Sequence, residues 1–173
     1  MVDSISAKDN RVLLDAGNEW DQLDSWLNFY RETLLIKCDG LGEDQLKQRP
    51  IVTSQLSLLG LIRHMTKVER YWFEIVFLAN DVPGYYATPD DRNGDYNNVD
   101  ELGLNDVLRN YHVAVAKSDE CATGHNLDEL AKKSRGEQTV DLRWIYLHMI
   151  EEYARHCGHA DIIRELIDGV TGY

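Results

Sequence analysis

Cysteine is scarce in this chain, with three residues, Cys38, Cys121 and Cys157, among 173. They are too few and too scattered for a disulfide framework or a CxxC zinc site. Positive charge is also in short supply: 18 Lys and Arg against 30 Asp and Glu leave a net charge of -12. A surface this acidic repels phosphate backbones and anionic lipid, which argues against bulk nucleic acid or a membrane surface as partners. No apolar run approaches the roughly 20 residues that span a bilayer. Met1-Val2-Asp3-Ser4 has neither the basic nor the apolar region of a signal peptide. What is present, 43% apolar and 28% charged residues, is the balance of an ordinary globular protein. The expectation is one domain over residues 1–173 in the reduced cytoplasm.

Apolar spacing is helical almost throughout, and no segment alternates convincingly with period two. The first helix is expected from about Asn18 to Cys38, with Trp20, Leu23, Trp26, Leu27, Tyr30, Leu34 and Leu35 on one stripe, stopped by Gly40 and Gly42. A short turn at Glu43–Gln48 precedes Pro50. Ser57 caps a second helix, Leu58 to Ala79. Residues 81–103 hold two of the three prolines, several Asp, Asn and Gly, and Tyr85, Tyr86 and Tyr96, the composition of a long loop. A third helix starts at Asn105 or Asp106 and reaches Cys121, with Leu108, Tyr111 and Val115 inward. After a polar stretch at 123–138, Thr139 caps a last helix reaching about Ile167 before Asp168-Gly169. Four main helices and one long crossover predict an all-α, up-down four-helix bundle.

The chemistry concentrates in the last helix. With His148 set at zero and about 100° per residue, His159 falls near 20°, Glu152 near 40° and His156 near 80°. Ile145, Ile163, Met149, Leu142 and Leu166 share that side of the wheel, whereas Arg143, Glu151, Asp161 and Glu165 lie opposite. The His/Glu stripe therefore faces inward. A carboxylate taken into a core needs a partner, neutralisation or a metal. Three imidazoles beside it could satisfy one another by hydrogen bonds, or they could bind a borderline divalent ion. In the second helix, Leu61, Val68, Tyr71, Trp72 and Ile75 lie on the side of His64, and Arg63, Lys67, Arg70 and Glu74 lie on the other. An inward His64 meeting an inward Glu152-x3-His156 pair gives three ligands and leaves coordination positions open.

These residues carry a resemblance. His64, within Leu56-Ser57-Leu58-Leu59-Gly60-Leu61-Ile62-Arg63-His64, and Glu152-x3-His156-x-Gly158-His159-Ala160-Asp161 resemble the DinB/YfiT-like superfamily, closest to its actinobacterial DinB-like proteins. Val68-Glu69-Arg70-Tyr71-Trp72-Phe73 and the closing Arg164-Glu165-Leu166-Ile167-Asp168-Gly169 extend it over nearly the whole chain. The superfamily pattern is one histidine on the second helix and His-x3-His on the fourth, ending two residues before a glycine. His156 takes the last position before Gly158, and Glu152 stands where many members have histidine. Mycothiol-dependent maleylpyruvate isomerase, in the same superfamily, has the same His, Glu, His set.

The resemblance implies a four-helix bundle, a divalent metal (zinc or nickel) held by His64, Glu152 and His156, and a homodimer. It also implies S-transferase or isomerase chemistry with mycothiol or another low-molecular-weight thiol and a second, electrophilic substrate. His148 and His159 flank the ligands by about one turn each and are candidates to orient a ligand, to move a proton or to replace Glu152 as the third ligand. The tyrosine-bearing loop is a candidate wall, and Arg63 and Arg155 are candidate receivers of an anionic thiol. The competing classes are a metal-dependent hydrolase and a non-catalytic bundle in which metal or hydrogen bonds join the helices or which senses metal or stress. Other features read more simply. His112 and His125 are expected in solvent, Cys157 as an inert small residue, and Trp20, Trp26, Tyr30, Tyr71 and Trp72 as core. Gly158 is expected at a close helix–helix approach. Asp90-Asp91-Arg92-Asn93-Gly94-Asp95 lacks the spacing of a calcium loop and is expected to be a solvated turn.

Overall fold

The computed structural model describes residues 5, 7 and 9–172; the signal-peptide reading, which rests on Met1-Val2-Asp3-Ser4, lies outside them. The described residues are all-α, with no strand and two isolated bridges, Leu130 with Asp141 and Arg135 with Gln138. The helices are α1 (Glu19–Ile36), α2 (Glu43–Leu46), α3 (Leu58–Glu69), α4 (Gly94–Asn97), α5 (Leu104–Ala122) and α6 (Leu142–Asp168). A π-helical segment, Arg70–Phe77, prolongs α3. Among the described residues no helix is long and apolar enough to cross a membrane.

The ends follow local chemistry. Asn18 accepts from the Asp21 N–H at α1, and Ser57 accepts from the Gly60 N–H at α3. Gly169, at φ +79°, closes α6. Asp141, not Thr139, caps α6, accepting from the Trp144 N–H at 2.8 Å. The bridge to Leu130 holds 140–141 extended, so the helix starts after it. The polar stretch after α5 is tied down by its backbone: Lys132 and Lys133 N–H groups donate to Phe77 and Val76 carbonyls, satisfying the open end of the π segment.

The side chains of the π segment depart from the wheel of the second helix. Glu74 is buried and Tyr71 41% exposed, the reverse of the α-helical expectation, because α5 packs against this segment and covers the side that carries Glu74. Arg63 is also buried rather than solvated, because the 81–103 crossover lies over it. That crossover is not wholly a loop: it folds into α4, against α3. Trp26 is 38% exposed, so the aromatic stripe is only partly core. In α5 the buried face is Val107, Tyr111, Ala114 and Ser118, one residue off the predicted Leu108–Val115 line. Leu166 is 57% exposed near the end of α6, while its neighbour Ile167 packs against the core.

α6 packs chiefly on α1, and α3 packs between α5 and α6. At their centre lies a charge cluster. Arg31 Nε and Nη2 donate to both oxygens of Glu69, each at 2.8 Å, and Nη1 donates to Asp119 at 2.7 Å and to Asn28 at 2.9 Å. The Tyr153 hydroxyl donates to Glu69 at 2.8 Å and lies 3.1 Å from the Tyr111 hydroxyl, which donates to the Arg31 carbonyl. Burial opposes the Arg31 charge, but Glu69 outweighs it and holds the guanidinium protonated. The cluster joins α1, α3, α5 and α6, and Tyr153 sets the rotation of α6 one residue from Glu152.

Candidate metal centre

Rotation of α6 about Tyr153 turns Glu152 and His156 toward α3, where His64 stands near mid-helix. One donor atom from each of His64, Glu152 and His156 lies within 4.8 Å of the others. The His64 and His156 rings meet edge to face with centroids 4.7 Å apart. His156 Nε2 is 3.4 Å from Glu152 Oε2, and no hydrogen bond forms between them. Glu152 is half-buried and no described cation pairs with it other than the histidines. Two imidazoles and a carboxylate thus converge without satisfying one another, and this donor set fits a borderline divalent cation.

Burial, with His64 and His159 adding to it, lowers the His156 pKa to about 3, so its ring is neutral and a nitrogen lone pair is free. His159 Nδ1 lies 3.3 Å from His156 Nδ1. His148 Nε2 sits 3.6 Å from Glu152 Oε1, and its ring stacks on Trp144 and meets Trp72 edge-on. Burial lowers the His148 pKa, against the pull of Glu152. Both flanking histidines are therefore adjacent to the triad, as their positions on the wheel require.

The residue that sequence reasoning missed is Asp95. The Asp90–Asp95 run was expected to be solvated, yet Asp95 is fully buried, its Oδ2 2.7 Å from His64 Nδ1 and 2.5 Å from Lys67 Nζ. Burial raises its pKa, but the bonds from His64 and Lys67 outweigh that and hold the carboxyl below its usual range. Arg63 donates to the Asp95 and Gly94 carbonyls at 3.0 and 2.8 Å, and its guanidinium lies 4.1 Å from the Tyr86 ring centroid. Tyr96 stacks on His64 at 5.1 Å. A Cβ at Gly94 would collide with the Tyr86 carbonyl, so this tight passage requires glycine. The one available signal was Gly-Asp-Tyr within an otherwise polar loop, and neither period nor spacing ties it to His64.

Other candidates separate from the site. Arg63 is held under the crossover through Nε and Nη2, with Nη1 buried and unpartnered among the described residues, and Arg155 pairs with Glu151 on the exposed side of α6. Cys157 is buried beside the Tyr30 carbonyl, and burial pushes its thiol up to about 12. Gly158 is exposed with open space around it, so no helix approaches there. His112 is exposed as expected, whereas His125 is half-buried, bonded to Glu129 at 2.8 Å and edge-on to Phe77.

An all-α scaffold carrying an inward His, Glu, His constellation defines the class: a helical protein of DinB/YfiT-like type. Within it, the chain belongs to the mycothiol-S-transferase family, whose family model matches residues 22–169. A search of curated proteins finds no significant match.

Proposed function

We propose that this protein is a metal-dependent S-transferase for mycothiol or a related low-molecular-weight thiol, with His64, Glu152 and His156 holding one divalent cation, zinc or nickel. The observation that carries the reading is the convergence of these three donor atoms within 4.8 Å, from helices far apart in sequence. A cation bound there favours the thiolate form of a coordinated thiol at neutral pH.

The chain's own groups supply the rest. His156, neutral, would contribute a lone pair, and Glu152 would offset one of the ion's two charges. His148, braced by Trp144 and Trp72, accepts the thiol proton. As the new carbon–sulfur bond forms, the leaving group departs the electrophile with its bonding electrons. His159 orients the His156 ring from its other side.

In this reading the four long helical segments form one up-down bundle domain with residues 81–103 as its crossover. A second copy of the chain completes a cytoplasmic homodimer. The superfamily resemblance supports these features.

Elemental analysis of protein purified without chelator or nickel resin tests the centre, alongside mycothiol consumption with a chlorobimane electrophile. Stoichiometric zinc or nickel in the wild type, lost in His64→Ala together with thiol transfer, is expected. Equal metal in both proteins overturns the ligand assignment. Transfer undiminished in the metal-free protein overturns the metal-dependent chemistry.

A further inference from the structure

Three residues within about one turn of α3 grip one acidic residue of the crossover: Arg63 holds its carbonyl, and His64 and Lys67 hold its carboxylate. We infer that Asp95 is the positioning residue of the centre, keeping the proton on His64 Nδ1 and turning the Nε2 lone pair toward Glu152 and His156. The inference rests on the proposed ligand set. A neutral imidazole carries one proton, and the nitrogen facing a carboxylate keeps it, which leaves the other nitrogen as the donor. The 2.7 Å contact fixes that choice, and the Tyr96 ring, stacked on the imidazole, fixes its plane. The other carboxylate oxygen, Oδ1, is buried without a partner among the described residues, so the Asp95 carboxylate is aimed by its contacts to α3 and not by solvation.

A consequence is that the crossover becomes part of the centre. Zinc drawing on His64 Nε2 makes Nδ1–H a stronger donor to Asp95. Loading of the site and docking of the crossover then favour one another, as linkage requires.

Zinc titrations against a chromophoric chelator on the full-length protein, with 15N spectra of the histidine rings of the zinc-free protein, test the inference. The wild type is expected to show His64 protonated at Nδ1. Asp95→Asn and Asp95→Ala are expected to bind zinc roughly 10- to 100-fold more weakly, with His64 in Asp95→Ala shifting toward the Nε2–H form. Lys67→Met, which removes the other partner of the same oxygen, is expected to stay within about threefold of wild type.

Zinc affinity unchanged in both Asp95 variants, with His64→Ala unable to bind, overturns the inference and leaves the ligand set standing. So does an equal loss in Lys67→Met, which would assign the effect to docking of the crossover alone. If Asp95→Ala does not fold, the isosteric Asp95→Asn, checked by circular dichroism, carries the affinity arm. If the wild type binds no zinc, the ligand set fails. The zinc-free ring spectrum then still decides the tautomer, and an Nε2–H ring overturns the assignment to Asp95.

Discussion

Two ionisable clusters lie about the same helices and differ in one respect. Around Arg31 and Glu69 every charge has an opposite: the guanidinium is bidentate to the carboxylate, and two tyrosines and Asp119 take up what remains. Around His64, Glu152 and His156 the approaches are close, but among the described residues the carboxylate gains no hydrogen bond and no fixed cation. The first cluster is closed, and its chemistry is spent on holding α1, α3, α5 and α6 together. The second is open, and its unsatisfied donors are what a ligand requires. Buried charge alone does not mark a functional site; incomplete pairing of buried charge does.

The widest separation between the clusters is expected on deleting a charge. Glu69→Ala strands Arg31 in the core and is expected to cost about 3–5 kcal/mol in chemical denaturation. Glu152→Gln removes a charge that nothing pairs and is expected to leave the metal-free protein within about 1 kcal/mol of wild type while weakening zinc binding. Equal destabilisation by both would erase the comparison.

The response to acid is expected next. His156 is held neutral down to about pH 3 in the fold, whereas the unfolded chain protonates it near 6.5. The unfolded state therefore binds the extra proton between those values. The metal-free protein loses a few kcal/mol as pH falls from about 6.5 toward 3, with nothing lost from this source above 6.5. Denaturant midpoints across that window check it, and a His156→Gln protein is expected to lose less over the same range.

Zinc is expected to act on the open cluster only. At a hundredfold excess over the dissociation constant it adds about 2.7 kcal/mol of stability to wild type. Glu69→Gln is expected to keep that increment, and His64→Ala is expected to lose it, as a thermal shift with and without chelator will show. The smallest effect is assigned to Cys157, whose thiol burial pushes up to about 12. Cys157→Ala is expected to change stability by about 1 kcal/mol or less and thiol transfer not at all. Alkylation of the native thiol at pH 7 is expected to be slow until denaturant is added.

The helices and the triad were legible because both depend on short-range period. His64, Glu152 and His156 could be placed on inward faces by counting about 100° per residue, and Ser57 announced the start of α3 through its own cap. The same counting failed at Tyr71 and Glu74, where the packing of α5 on the π segment, and not the repeat, decides which side is covered. It also failed at Arg63, whose burial is conferred by a crossover that lies over it.

What the sequence by itself determined is the set of faces: which side chains of each helix lie toward a core, since one chain's 3.6-residue repeat needs no neighbour to define it. Only the tertiary structure decided which faces meet. It set Asp95 on His64, closed Arg31 onto Glu69 and left Glu152 without a fixed cation. Such pairings join residues 31 to 88 positions apart, and their geometry depends on how helices and crossover pack, which no local repeat encodes.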